Sequence, residues 1–122
     1  MKITSSIIRD TIEIMDERGD VVREFPFTFN VVKSFARVQD LRVEILKQNT
    51  AGNMEALGHA VYDLFCAIFG DENAAAMNEY YDGDYVTMLN DLTPVILEVV
   101  YPAVDRVAQQ MKDAHKRAKA KA

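Results

Sequence analysis

Apolar residues recur in this chain first at intervals of two and then, from residue 31 onward, at intervals of three and four. Ile8 to Met15 alternates, with Ile8, Asp10, Ile12 and Ile14 on one face and Arg9, Thr11 and Glu13 on the other, which predicts a strand. Asp16 to Asp20 is polar and contains Gly19, a residue free to take positive φ in a turn. Val21 to Phe25 extends again, so the two runs predict a β-hairpin. Pro26 cannot donate to a sheet, and the second strand is therefore either an edge or ends there. Phe25, Phe27 and Phe29 share one pleat face and form an aromatic packing stripe.

Asn30 is placed to cap a helix reaching about Gln48, with Val31, Phe35, Val38, Leu41 or Arg42, and Ile45 at helical spacing. Asn49 to Asn53 breaks it. The clearest helical pattern follows: Met54, Leu57, Val61, Leu64 and Ile68 recur at three and four residues, thickened by Phe65 and Phe69, and Gly70 stands at the C′ position. Asp71 is expected to cap a short third helix through Ala74 and Met77 to Tyr80. Asp82-Gly83 predicts a turn, and Asp84 the cap of a last helical region. That region keeps one apolar phase through Tyr85, Met88, Leu92, Ile96, Val99, Ala103, Val107 and Met111 despite Pro94 and Pro102. Thr93-Pro94 reads as N-cap and N1 of a new segment, whereas Pro102 is expected to kink or end the helix. The predicted class is α+β and predominantly helical: an N-terminal hairpin and about four helices, the last kinked or segmented by proline.

Composition adds a boundary. The 122 residues are 49% hydrophobic, enough for one core, and residues 1–111 are predicted to form a single domain. Residues 112–122 have helix propensity but no apolar face, which predicts a frayed, flexible basic tail. Charge is segregated along the chain. Residues 1–47 carry eight basic and eight acidic side chains, residues 48–105 carry ten carboxylates and no Lys or Arg, and residues 106–122 carry six basic and one acidic, for a net −5. Opposed fields of this kind guide encounters with partners, including second copies of the same chain. Net negative charge also disfavours nucleic acid as a ligand of the body. No secretory signal or run of ~20 apolar residues is present, and one cysteine forms no internal disulfide, so a cytoplasmic protein is expected.

Catalytic patterns are sparse. His59 and His115 lack a second ligand at metal spacing, Cys66 stands in an acidic stretch beside Phe65 and reads as a small buried hydrophobe, and His59 reads as a partly buried helical side chain. Glu79, Asp82 and Asp84 do not have the ligand spacing of a calcium loop, and there is no phosphate-binding glycine loop or nucleophile elbow. No catalytic residue, metal ligand or cofactor site is assigned. The candidate partner-binding residues are Tyr80, Tyr81 and Tyr85 with Asp82 and Asp84, because tyrosine combines apolar area with a polar tip. The same tyrosines read equally well as a roof on the core. Lys112, Lys116, Arg117, Lys119 and Lys121 form a second candidate surface for an acidic partner.

The Phe27-Thr-Phe29 strand, the helix closing on Ala67-Ile68-Phe69-Gly70, the Tyr80-Tyr81-Asp82-Gly83 turn and the proline-interrupted final helix together resemble the tail assembly chaperones of long-tailed bacteriophages and prophages. The resemblance covers most of residues 8–111. It implies a noncatalytic assembly factor of the host cell cytoplasm that binds the tape measure protein and helps recruit tail tube subunits. The alternative expectation is a small regulatory or adaptor protein whose basic tail contacts nucleic acid or an acidic partner.

Overall fold

The computed structural model describes residues 6–121, with side chains through Ala120. The chain forms an antiparallel hairpin, β1 (Ile7–Met15) and β2 (Val21–Asn30), followed by α1 (Val31–Ala51), α2 (Met54–Phe69), α3 (Asp71–Tyr80) and a long segmented helix. That last helix consists of α4 (Tyr85–Val95), a π-helical turn (Ile96–Val100) and α5 (Tyr101–Lys121). The predicted architecture is therefore the observed one. Among the described residues, no helix is long and apolar enough to cross a membrane.

Pairing in the hairpin sets Ile12 opposite Phe25 and Ile8 opposite Phe29, so the aliphatic and aromatic stripes share the face that meets the helices. Phe25, Phe27 and Phe29 are buried, and Phe27 meets Phe69 of α2 edge to face at 4.9 Å. Pro26 does not end the strand. It pairs with Thr11, and its carbonyl accepts a hydrogen bond from Asn73 Nδ2 at 2.7 Å. In a two-stranded sheet the missing proline donor falls on an outer edge, where no ladder bond is lost.

The helices follow the predicted spacing with local corrections. Asn30 accepts from Lys33 N at 3.1 Å, and α1 runs on to Ala51, where Gly52 at φ 70° reverses the chain. Gly70 ends α2 but takes φ 92° and ψ 156°, a mirror-image extended conformation rather than the left-handed helical one. The N-cap of α3 is also Gly70, so Asp71 is the first helical residue and caps nothing with its side chain. Its charge instead stands in the first turn, where the helix dipole favours it.

Two proline expectations are revised. Pro94 lies inside α4, and Thr93 is no new cap, since its hydroxyl donates to Leu89 O at 2.6 Å within the same helix. Pro102 neither ends the helix nor stands in a break. The adjustment precedes it, in the π turn, where Tyr101 N–H reaches back five residues to Ile96 O. One extra residue per turn rotates the apolar phase, so Val100 is buried and Val99 is 41% exposed. The single phase expected through Val99 therefore breaks there. Val100 takes the place of Val99 and Val104 joins the buried set, while Ala103 and Val107 of the expected phase are buried and Met111, its last member, is exposed.

The core runs continuously from the hairpin face through α1 and α2 to the segmented helix, with α2 at its centre: Val61, Leu64 and Phe65 have no exposed surface. Among the described residues, none of the buried side chains is polar or charged. Beyond Val107, α5 continues as a helix through the basic segment, and residues 111–120 are all exposed. Basic α1 meets the acidic stretch through two ion pairs, Arg37–Asp63 at 3.8 Å and Arg42–Asp105 at 3.2 Å. The Arg42 guanidinium also lies 4.3 Å from the centre of the Tyr101 ring, so one side chain ties α1 to α5 by charge and by stacking.

Candidate functional site

The tyrosine cluster forms where α3 gives way to α4. After Tyr80 the chain turns through two consecutive positive-φ residues, Asp82 at 52° and Gly83 at 75°. Aspartate tolerates this conformation better than most side chains, and glycine accepts it without strain. Gly83 N–H closes on Asn78 O at 2.9 Å, satisfying a carbonyl at the end of α3. Asp84 then caps α4, accepting from Thr87 N at 3.1 Å and from the Thr87 hydroxyl at 2.7 Å. These bonds to Thr87 hold the Asp84 carboxyl below its ordinary value.

The three tyrosines occupy three different environments. Tyr81 is half-buried and donates its hydroxyl to Asp91 at 2.8 Å. Burial, followed by the Asp91 carboxylate, pushes its ionisation far above that of a free phenol. Tyr85 lays its ring on α2 at Gly58, where an added Cβ would fall 2.9 Å from Cε1, and its hydroxyl donates to Met54 O at 3.0 Å. Tyr80 is 46% exposed and meets Tyr81 edge to face at 5.2 Å. Tyr81 and Tyr85 therefore serve the fold. Tyr80 and Asp82 remain as outward-facing groups of this cluster.

Beside it, α2 and α4 leave an open groove of about 510 Å³, lined by Met54, Glu55, Gly58, Tyr62 and Tyr85 among others. Of these, only Tyr85 was a sequence candidate. Gly58 did carry a signal: a glycine inside a strongly periodic helix costs about 1 kcal/mol against alanine, which implies a close approach by something else.

The basic candidates lie elsewhere. Lys112, Lys116 and Lys119 occupy one face of the last turns of α5, Arg117 lies on another, and the side chain of Lys121 lies outside the described residues. Tyr85 and Lys112 stand at opposite ends of the segmented helix, roughly 40 Å apart at 1.5 Å per residue. The two candidate surfaces are thus well separated along the segmented helix.

His59 is exposed rather than partly buried, and Cys66 is half-buried rather than fully enclosed. Partial burial, reinforced by Asp71, pushes the Cys66 thiol up, away from the reactive thiolate. Among the described residues, no group of three His, Cys, Asp or Glu side chains could hold a metal ion. Comparison with family models, curated proteins and solved structures finds no match to this chain.

Proposed function

We propose that this protein is a noncatalytic assembly chaperone of a long-tailed phage or prophage, which binds the tape measure protein and helps recruit tail tube subunits. The observation that carries a binding role is where the spare chemistry lies. The described core contains no buried polar or charged side chain, whereas large apolar groups stand exposed along α1, at the hairpin tip and on the segmented helix. Such groups suit contact with a client, and the net charge of −5 keeps the complex soluble. The phage assignment draws on the sequence resemblance at Phe27-Thr-Phe29, Ala67 to Gly70 and Tyr80 to Gly83.

The test is coexpression with candidate tape measure and tube proteins, scoring client solubility and copurification. Tyr80→Ala is the informative variant, because among the described residues Tyr80 makes no hydrogen bond through its side chain, and its loss leaves the Tyr81 and Tyr85 anchors in place. Solubilisation that Tyr80→Ala weakens supports the reading, and failure with every client removes it. The exposed Lys112, Lys116 and Lys119 face favours a second reading, an adaptor that meets nucleic acid or an acidic partner through α5. Steeply salt-dependent binding to DNA or to an acidic peptide, lost on charge reversal of those lysines, would select it.

A further inference from the structure

The outer face of α1 carries a second apolar pattern that the fold does not use. Val32, Ala36, Gln39, Val43, Leu46 and Thr50 follow one another at intervals of four, three, four, three and four, the spacing of a coiled-coil seam. The core of α1 lies on Val31, Val38 and Leu41, on a different face of the helix. Val43 and Leu46 are each 67% exposed, more than any other large hydrophobic side chain described.

We infer that this face is a two-fold contact between two copies of the chain, with the α1 helices antiparallel and Val43 of one copy over Leu46 of the other. Charge selects the occupant, the orientation and the register. In this pairing Gln39 lies over Thr50 of the second copy. Asp40, one residue after Gln39, then sits beside Lys47, one residue after Leu46, and symmetry makes the bridge twice. Neither Asp40 nor Lys47 has an ion-pair partner within its own chain among the described residues. Shifting the antiparallel register so that Val43 faces Gln39 would set Asp40 against Asp40 and Lys33 against Lys47. A parallel pair would set Arg42 against Lys47. Each alternative gathers like charges, and the inferred one matches opposites.

In this register only Val43 and Leu46 of each copy's seam hydrophobics meet the other α1, a contact smaller than the ~1,200–2,000 Å² typical of stable interfaces, so the dimer is weak, half-formed at roughly 0.1–1 mM chain. Sedimentation equilibrium of the full chain from about 10 μM to about 1 mM reads it directly. The wild type is expected to pass from monomer to dimer. Asp40→Lys and Lys47→Asp should each weaken association at least about tenfold, because two attractive pairs become repulsive. The double exchange Asp40→Lys with Lys47→Asp should return it to within about threefold of wild type, since the same bridges form with signs reversed. Leu46→Asn should also weaken it. All these positions are solvent-facing, and an unchanged circular dichroism spectrum and thermal midpoint identify a folded variant. A chain that stays monomeric through 1 mM, a dimer indifferent to Asp40→Lys, or a double exchange as weak as the single ones overturns the inference.

Discussion

Replacing Gly58 by alanine should change the sign of its effect on stability according to whether Tyr85 is present. In an isolated helix the substitution is favourable by about 1 kcal/mol, because alanine has less backbone freedom to lose. Here the new methyl would lie 2.9 Å from Tyr85 Cε1 and 3.1 Å from Cδ1, well inside the 3.5–4.0 Å of ordinary carbon contact. The ring must retreat, and its hydroxyl then leaves Met54 O, now 3.0 Å away. Losing that bond costs about 0.5–1.5 kcal/mol and displacing the ring about 1–3 kcal/mol, so Gly58→Ala should destabilise the native protein by roughly 1–2 kcal/mol. In a Tyr85→Ala background the obstruction is gone. The same substitution should then stabilise by up to about 1 kcal/mol, a coupling of roughly 2–3 kcal/mol across the cycle. Urea unfolding of the four proteins, followed by circular dichroism, measures all the differences. If Gly58→Ala stabilised both backgrounds equally, the close approach of Tyr85 to α2 would not be what requires a glycine at this position.

Two further outcomes follow from named contacts. Arg42→Ala should cost about 1 kcal/mol, most of it from the lost stacking on Tyr101, because the Asp105 pair is half exposed; Asp105→Asn should cost less than about 0.5 kcal/mol, and added salt should shrink the second effect by a larger fraction than the first. Asp84 has a lowered carboxyl pKa in the folded state, so its contribution is fully present above the unfolded value near pH 4 and is lost as pH falls through the lower folded value. Asp84→Ala should therefore lower the thermal midpoint at pH 7 and flatten its decline below about pH 4, and an unchanged acid limb would contradict the cap's role in that decline.

The parts of this fold legible from sequence are those whose cause is local. Alternation in β1 and β2, the Asn30 and Asp84 caps and the α2 stripe from Leu57 to Phe69 are each set by residues within one or two turns of one another, and each appears in the structure as expected, although Met54, the expected first member of the stripe, is exposed. The errors arise where a local pattern has more than one physical solution. A proline in a helix must relieve its missing donor and its clash with the preceding turn, and a kink, a break and a π turn all do so. Ile96–Val100 takes the third route, and burying Val100 in place of Val99 is its consequence.

The candidate surface was less legible because its determinants are distant in sequence. Tyr80, Tyr81 and Tyr85 fall within six residues, yet what separates them is Asp91 on the far side of the α4 cap, Met54 on the preceding helix and the absent side chain at Gly58. No local pattern joins those residues, so sequence alone presents three equivalent tyrosines. Once the fold has engaged two of them, Tyr80 is the tyrosine of the cluster free for a partner. The same subtraction applies to α1, where the Val31, Val38 and Leu41 face is consumed by the core and the Val43 and Leu46 face is not. A binding surface in a small helical domain is thus defined by which apolar groups remain after every internal contact has been made.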